Sequence, residues 1–311
     1  LFDDTAFCFY LDGTPRAMNA RSRGTLEMVT AMCISGTVGW FVVQSGQSPS
    51  SMVFWRCLFG AAVMALACWA LGVFGTLRPT RAQWGWMLLG GVALACNWLL
   101  LFSAYSQASI AVATVVYHTQ PFMLVGLGVL LFGERISASG AGWLGLAFVG
   151  MLLIVTAKTG AAGENYLMGV MLALASALLY AIAAIIAKRL QGVPPHLIVL
   201  VQLLVGAAML WPWAQVPDMT AQPQAWAYLL TIGAVHTGLM STLLYGAIQK
   251  LPTALIGALS FLYPAVAILV DWLAFDHPLS ALQAAGALAI LLAAAGMNLG
   301  WRLGPKPALN T

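Results

Sequence analysis

Charge is what this sequence has least of. Asp, Glu, Lys and Arg make up 7% of its 311 residues, against 61% hydrophobic residues and a mean hydropathy of +0.90. Soluble domains carry about a quarter charged residues, so this chain cannot cover a water-facing surface. A bilayer removes the difficulty, because lipid is then the solvent for most of the outer face. Cysteine is sparse too: Cys8, Cys33, Cys57, Cys68 and Cys96 form no CxxC pair, and all but Cys8 sit in apolar runs. That excludes a disulfide framework or a cysteine metal site and leaves small apolar packing groups. His118, His196, His236 and His277 are too dispersed for a metal centre, and no cofactor is expected. GxxxxGK[ST] is missing, so ATP is not the direct fuel. GxSxG is missing as well, which counts against a serine hydrolase. The net charge of +4 and pI of 8.9 come from single basic residues scattered between apolar runs, not a nucleic-acid patch. Residues 1–24 lack the order of a secretory signal and read as a cytoplasmic tail or an expression remnant.

What is there is a series of long apolar runs. A span needs roughly 20 residues, and ten stretches qualify: 25–43, 51–72, 83–103, 109–132, 138–157, 166–189, 195–215, 225–248, 252–275 and 279–301. Pro49, Arg78-Pro79, Gly133-Glu134-Arg135, Pro194-Pro195, Lys250-Leu251-Pro252 and Asp276-His277-Pro278 punctuate them. The link at Tyr105 to Ala108 is the weakest boundary. With the N-terminus inside, only Lys158 of the 13 lysines and arginines falls in an outside loop; Arg56 alone lies well within a span, Lys188 and Arg189 closing the sixth at its inner edge. Cytoplasmic loops carry the lysine and arginine excess, so both termini are expected in the cytoplasm of a bacterial cell, and the chain in its inner membrane.

The two halves resemble each other. Leu58, Gly60, Ala61 and Ala62 recur as Leu204, Gly206, Ala207 and Ala208, and Leu100, Ala111, Pro121 and Phe132 recur as Leu243, Ala254, Pro264 and Phe275. Five spans per half is an odd number, so the second half is expected upside down. The expected architecture is an all-α membrane protein of ten transmembrane helices in two inverted five-helix repeats. Its parts would be 25–157 and 166–303, a linker at 158–165 and a tail at 304–311. Such repeats suit alternating access around a midplane site.

This layout resembles the drug/metabolite transporter superfamily in its EamA-type branch, over about residues 24–303. The resemblance rests on the five-plus-five plan, Pro121 and Pro264, and the stretch Leu131-Phe132-Gly133-Glu134-Arg135-Ile136-Ser137, similar to the family's glycine-glutamate turn before the fifth helix. The second copy reads Phe275-Asp276-His277-Pro278-Leu279-Ser280 and lacks both residues, which weakens any role for the turn beyond ending a helix. The resemblance implies export of metabolites, among them apolar or aromatic amino acids, through a cavity lined mainly by helices 1, 3, 4, 6, 8 and 9. A nucleotide-sugar or sugar-phosphate exchanger is the alternative from the same superfamily, disfavoured by the shortage of basic residues in the spans. An intramembrane enzyme is a more distant one. The implied partners are a small-molecule substrate and the bilayer, with neither nucleic acid nor ATP; a monomer is compatible with the sequence.

Polar groups in hydrocarbon are costly and usually face the bundle interior. Thr114, Tyr117, His118 and Pro121 share a broad face of the fourth helix. Proline frees the carbonyl four residues earlier, here that of Tyr117, where an ammonium group could bind; the bland alternative is an interhelical hydrogen bond and a packing kink. Ser260, Pro264 and Asp271 repeat the theme in the ninth helix, with Tyr263 beside them. Asn97 offers donors and acceptors to a substrate, or equally a helix-to-helix bond. Trp98, Trp40 and Tyr180 lie deep enough to stack on a flat substrate, or simply pack. His118, His236 and Asp271 are the candidates for proton coupling or gating. Arg56 is expected to snorkel to the outer interface. Small residues are expected to allow close backbone contact: Ala281, Ala285, Ala289 and Ala293 make a four-residue stripe on the tenth helix, and the fifth offers Ala141, Gly145 and Gly150.

Overall fold

The computed structural model describes residues 19–76, 78–107, 113, 116–156, 165–216, 223–275 and 280–302. Every regular element among them is helical. In chain order the helices of eight residues or more are α1 (Ala20–Ser45), α2 (Pro49–Ala70), α3 (Arg81–Gln107), α4 (Gln120–Phe132), α5 (Ala138–Thr156), α6 (Tyr166–Arg189), α7 (Pro195–Leu210), α8 (Pro223–Lys250), α9 (Thr253–Ser260), α10 (Leu262–Phe275) and α11 (Ala281–Leu299). Stretches of α1, α2, α3, α6, α7, α8 and α11 are long and apolar enough to cross a membrane; α4, α5 and α9–α10 contribute shorter apolar segments. Leu66, Trp69, Leu130, Leu167 and Leu273 stand exposed on the outside of the bundle. Lipid tolerates such a surface and water does not.

The helix ends follow from local chemistry. Pro49 and Pro195 open α2 and α7, where a missing N–H costs nothing. Gly133 ends α4 in the left-handed region at φ 64°, with the Glu134 N–H reaching back to the Gly128 carbonyl. Ser280 and Gln283 form a reciprocal capping box on α11.

The packing pairs are α3 with α6 and α8 with α1, α4 with α6 and α10 with α1, α3 with α7 and α8 with α2, then α2 with α7 and α5 with α11. Glycine sets several of these approaches. A Cβ on Gly233 of α8 would lie 2.5 Å from the Phe59 Cβ of α2, and one on Gly91 of α3 would lie 3.0 Å from the Gln202 Cα of α7. Gly150 of α5 would meet the Gly286 carbonyl of α11 at 2.6 Å. The small-residue expectation there is only partly met. The buried face of α11 runs through Gly286, Ile290, Ala293 and Ala294, while Ala281 and Ala285 are exposed. On α5, Gly145 has nothing within 4 Å of its added Cβ.

The two ends of the bundle differ. At one, Lys250 bonds both carboxylate oxygens of Glu27 at 2.9 and 2.7 Å, Arg23 joins Glu27 at 3.2 Å, and Lys188 pairs with Glu134 at 2.6 Å. At the other, Ser51 and Trp55 both donate to the Gln215 carbonyl, at 2.7 and 2.8 Å, beside the aromatic contacts Trp55–Trp226 and Phe54–Trp211.

Candidate functional site

A cavity of about 70 Å³ lies inside the bundle, lined by Arg56, Leu94, Trp98, Tyr180, Ala183, Ala184, Met240, Ser241, Leu244 and Tyr245. By volume it holds several waters. Its walls come from α2, α3, α6 and α8. Of the residues singled out in the sequence, Trp98, Tyr180 and Arg56 are on this wall.

Arg56 does not reach the interface. It is 8% exposed and turned inward, correcting the snorkelling expectation. Its Nε donates to the Thr237 hydroxyl at 3.0 Å, and its guanidinium lies 4.4 Å from the centre of the Trp98 ring. No carboxylate among the described residues pairs with it. The sequence singled out Arg56 but not its orientation, because the direction of one side chain on an apolar helix leaves no trace in hydropathy. Its isolation as a lone charge within a span was the available signal.

Thr237 reaches Arg56 because α8 carries a π-helical segment, Ala234–Leu239. Such bulges shift a helix face locally and cluster at functional sites. The carbonyls it displaces find side chains: Thr237 donates to the Ile232 carbonyl at 2.8 Å, and His236 Nδ1 lies 3.4 Å from the Thr231 carbonyl. The other ring nitrogen, Nε2, is 2.8 Å from Thr37 Oγ1, which also lies 2.8 Å from the Ile34 carbonyl. His236 also packs on Phe41, which with Trp40 and Tyr228 forms an aromatic cluster. Neither His236 nor Trp40 lines the cavity.

Asn97 is fully buried and its amide is committed between α3 and α6. It donates to the Ser176 carbonyl and hydroxyl at 2.8 Å each and approaches the Tyr117 hydroxyl at 3.4 Å, while Ser176 returns a bond to the Asn97 carbonyl. Its Oδ1 has no partner among the described residues. Gln202 is held in turn by the Tyr245 hydroxyl.

Both proline-bearing spans are interrupted. Between Tyr117 and Gln120 the helix gives way to a turn at His118 and Thr119, just before Pro121; α9 and α10 are separated by a turn at Phe261, just before Pro264. His118 is buried against Tyr263, their rings stacked 5.6 Å apart, so the two interruptions touch. Tyr117 meets Tyr180 edge-on at 6.2 Å. Ser260 spends its hydroxyl on the Ile256 carbonyl at 2.7 Å. Thr114 and the side chain of Asp271 lie outside the described residues.

Glu134 does more than end α4. Its carboxylate takes the Lys188 ammonium, the Thr253 hydroxyl and, at 2.9 Å, the Thr253 N–H, tying the ends of α4 and α6 to the start of α9. Burial alone pushes this carboxyl up, but the hydrogen bonds from Lys188 and Thr253 outweigh it and hold it below the ordinary carboxylate value of 4.5.

Apolar helices with an exposed apolar outer surface, enclosing a small, partly polar cavity, suit a multi-pass membrane transporter. The chain belongs to the EamA-like transporter family, whose model matches it twice, over residues 22–156 and 167–299. It is 28% identical over 255 residues to an uncharacterized transporter, YxxF, of Bacillus subtilis (strain 168), covering 81% of each chain. An uncharacterized transporter of Archaeoglobus fulgidus is 26% identical over 285 residues, covering 90% of this chain and 96% of that one. A solved crystal structure, 22% identical, shares the fold with a TM-score of 0.80 over 90% of this chain and 97% of the other.

Proposed function

We propose that the chain is a secondary transporter that exports small amphipathic metabolites, in the first place apolar or aromatic amino acids, from the bacterial cytoplasm by alternating access. The observation that carries this reading is the cavity, walled by Arg56, Leu94 and Trp98 from the first half and by Tyr180, Met240 and Leu244 from the second. A site shared between halves opens to one side or the other when the halves rock.

Several observations support two inverted repeats at 25–157 and 166–303. The family model matches once in each half. The packing pairs exchange with one another when the halves are swapped: α3–α6 becomes α8–α1, and α3–α7 becomes α8–α2. The two proline interruptions occupy equivalent places. Ten spans with both termini cytoplasmic agree with the gathering of Arg23, Glu27, Glu134, Lys188 and Lys250 at one end of the bundle.

The test is release of radiolabelled amino acids and sugars from liposomes containing the purified protein, with and without a pH gradient. Saturable release of an apolar or aromatic amino acid is expected. Release of sugars alone, or chemical conversion without movement, defeats the reading.

A further inference from the structure

We propose that Arg56 anchors the carboxylate of a monoanionic organic substrate, and that the site recognises this group rather than an ammonium. The inference rests on the transporter reading above and deepens it.

A guanidinium inside a span is costly unless something neutralises it. The partners of Arg56 are both neutral: the Thr237 hydroxyl and the face of Trp98. Both also fix its direction. With Nε given to Thr237 and the plane of the ring beside it, the terminal nitrogens of the fork have no hydrogen bond or ion pair among the described residues, and the residue lines the cavity. A guanidinium fork matches a carboxylate with two parallel hydrogen bonds. A ligand supplying that carboxylate completes the pair inside a low-dielectric cavity, where it is worth most.

The remaining wall sets the rest of the substrate. Among the described residues it contains no acid, so an ammonium group would meet the like charge of Arg56 with only hydroxyls to receive it. The Tyr245 proton is already committed to Gln202. Leu94, Met240 and Leu244 accept an apolar tail. One cation balances one negative charge, so phosphate monoesters, with close to two, are excluded. An α-amino group is thus tolerated, not required.

The test is calorimetric binding to the purified protein, using phenylalanine and leucine, their des-amino acids 3-phenylpropionate and 4-methylpentanoate, and the amines 2-phenylethylamine and 3-methylbutylamine. Amino acid and des-amino acid are expected to bind within about tenfold of each other and the amines not at all. Arg56→Gln should weaken the carboxylates by about tenfold or more, the loss of a charge-assisted hydrogen bond. Arg56→Lys keeps the charge without the fork and should fall between, which keeps the test usable if the glutamine variant misfolds. Amines that bind as well as the acids, carboxylates indifferent to both variants, or no carboxylate binding by the wild type would each overturn the anchor. Liposome flux of the same compounds separates the two readings. Binding that needs Arg56 without any flux leaves the anchor and removes transport; flux of acids and amines alike, regardless of Arg56, does the reverse.

Discussion

Asn97 holds α3 to α6 with every hydrogen of its amide directed at Ser176 or Tyr117. Replacing it by alanine is expected to cost about 1 kcal/mol, the scale of an interhelical bond in a membrane, and to lower the thermal midpoint in detergent together with transport. A midpoint unchanged alongside lost transport would return Asn97 to the substrate site. Glycines give a sharper contrast. Gly150→Ala drives a Cβ to 2.6 Å from a backbone carbonyl of α11 and should destabilise the protein by about 1–3 kcal/mol, whereas Gly145→Ala meets nothing and should be neutral. Differential scanning of the two variants checks both. At this scale the sequence was least legible. Lone charges and small residues could be found in it, but not where they point: the alanine stripe of α11 begins exposed at Ala281 and Ala285 and is buried only at Ala293.

Among the elements, the interrupted spans were partly legible, because proline removes a backbone donor wherever it falls. Pro121 and Pro264 therefore announced irregular helices from sequence alone, though not that His118 and Tyr263 would stack where they meet. The π segment of α8 was not legible. It depends on Thr237 and His236 capping carbonyls five residues back, and Ala234–Leu239 reads as ordinary apolar helix. Pro264→Ala is expected to let α9 run into α10, raising stability by up to about 3 kcal/mol while slowing flux. A variant both more stable and fully active would show that the interruption has no part in movement.

For the molecule as a whole, composition settled the solvent, because too few charges remain to cover a water-facing surface, and apolar runs of about 20 residues settled the helical class. The ion pairs at one end could not be read, since Glu134 and Lys188 lie in different halves of the chain. The Glu134 carboxyl sits below its ordinary 4.5 in the folded protein. Its contribution is therefore complete above that value and lost as pH falls through the lower folded one. Glu134→Ala should reproduce the loss at neutral pH, and amide hydrogen exchange at Thr253, whose N–H it holds at 2.9 Å, should accelerate. Unaltered protection would mean that α9 is held by packing alone.

Under the proposed alternating access and carboxylate anchor, a fixed positive side chain inside the transporter also bears on voltage. Occupied by a monoanion, the Arg56 site is electrically silent; empty, it presents one charge to the field, worth about 2.3 kcal/mol per 100 mV if carried fully across. An interior-negative potential would then draw the unloaded form toward the cytoplasm, ready to reload. Efflux from liposomes clamped with valinomycin and potassium should accordingly quicken with interior-negative voltage when reorientation limits the cycle, and lose that dependence in Arg56→Gln.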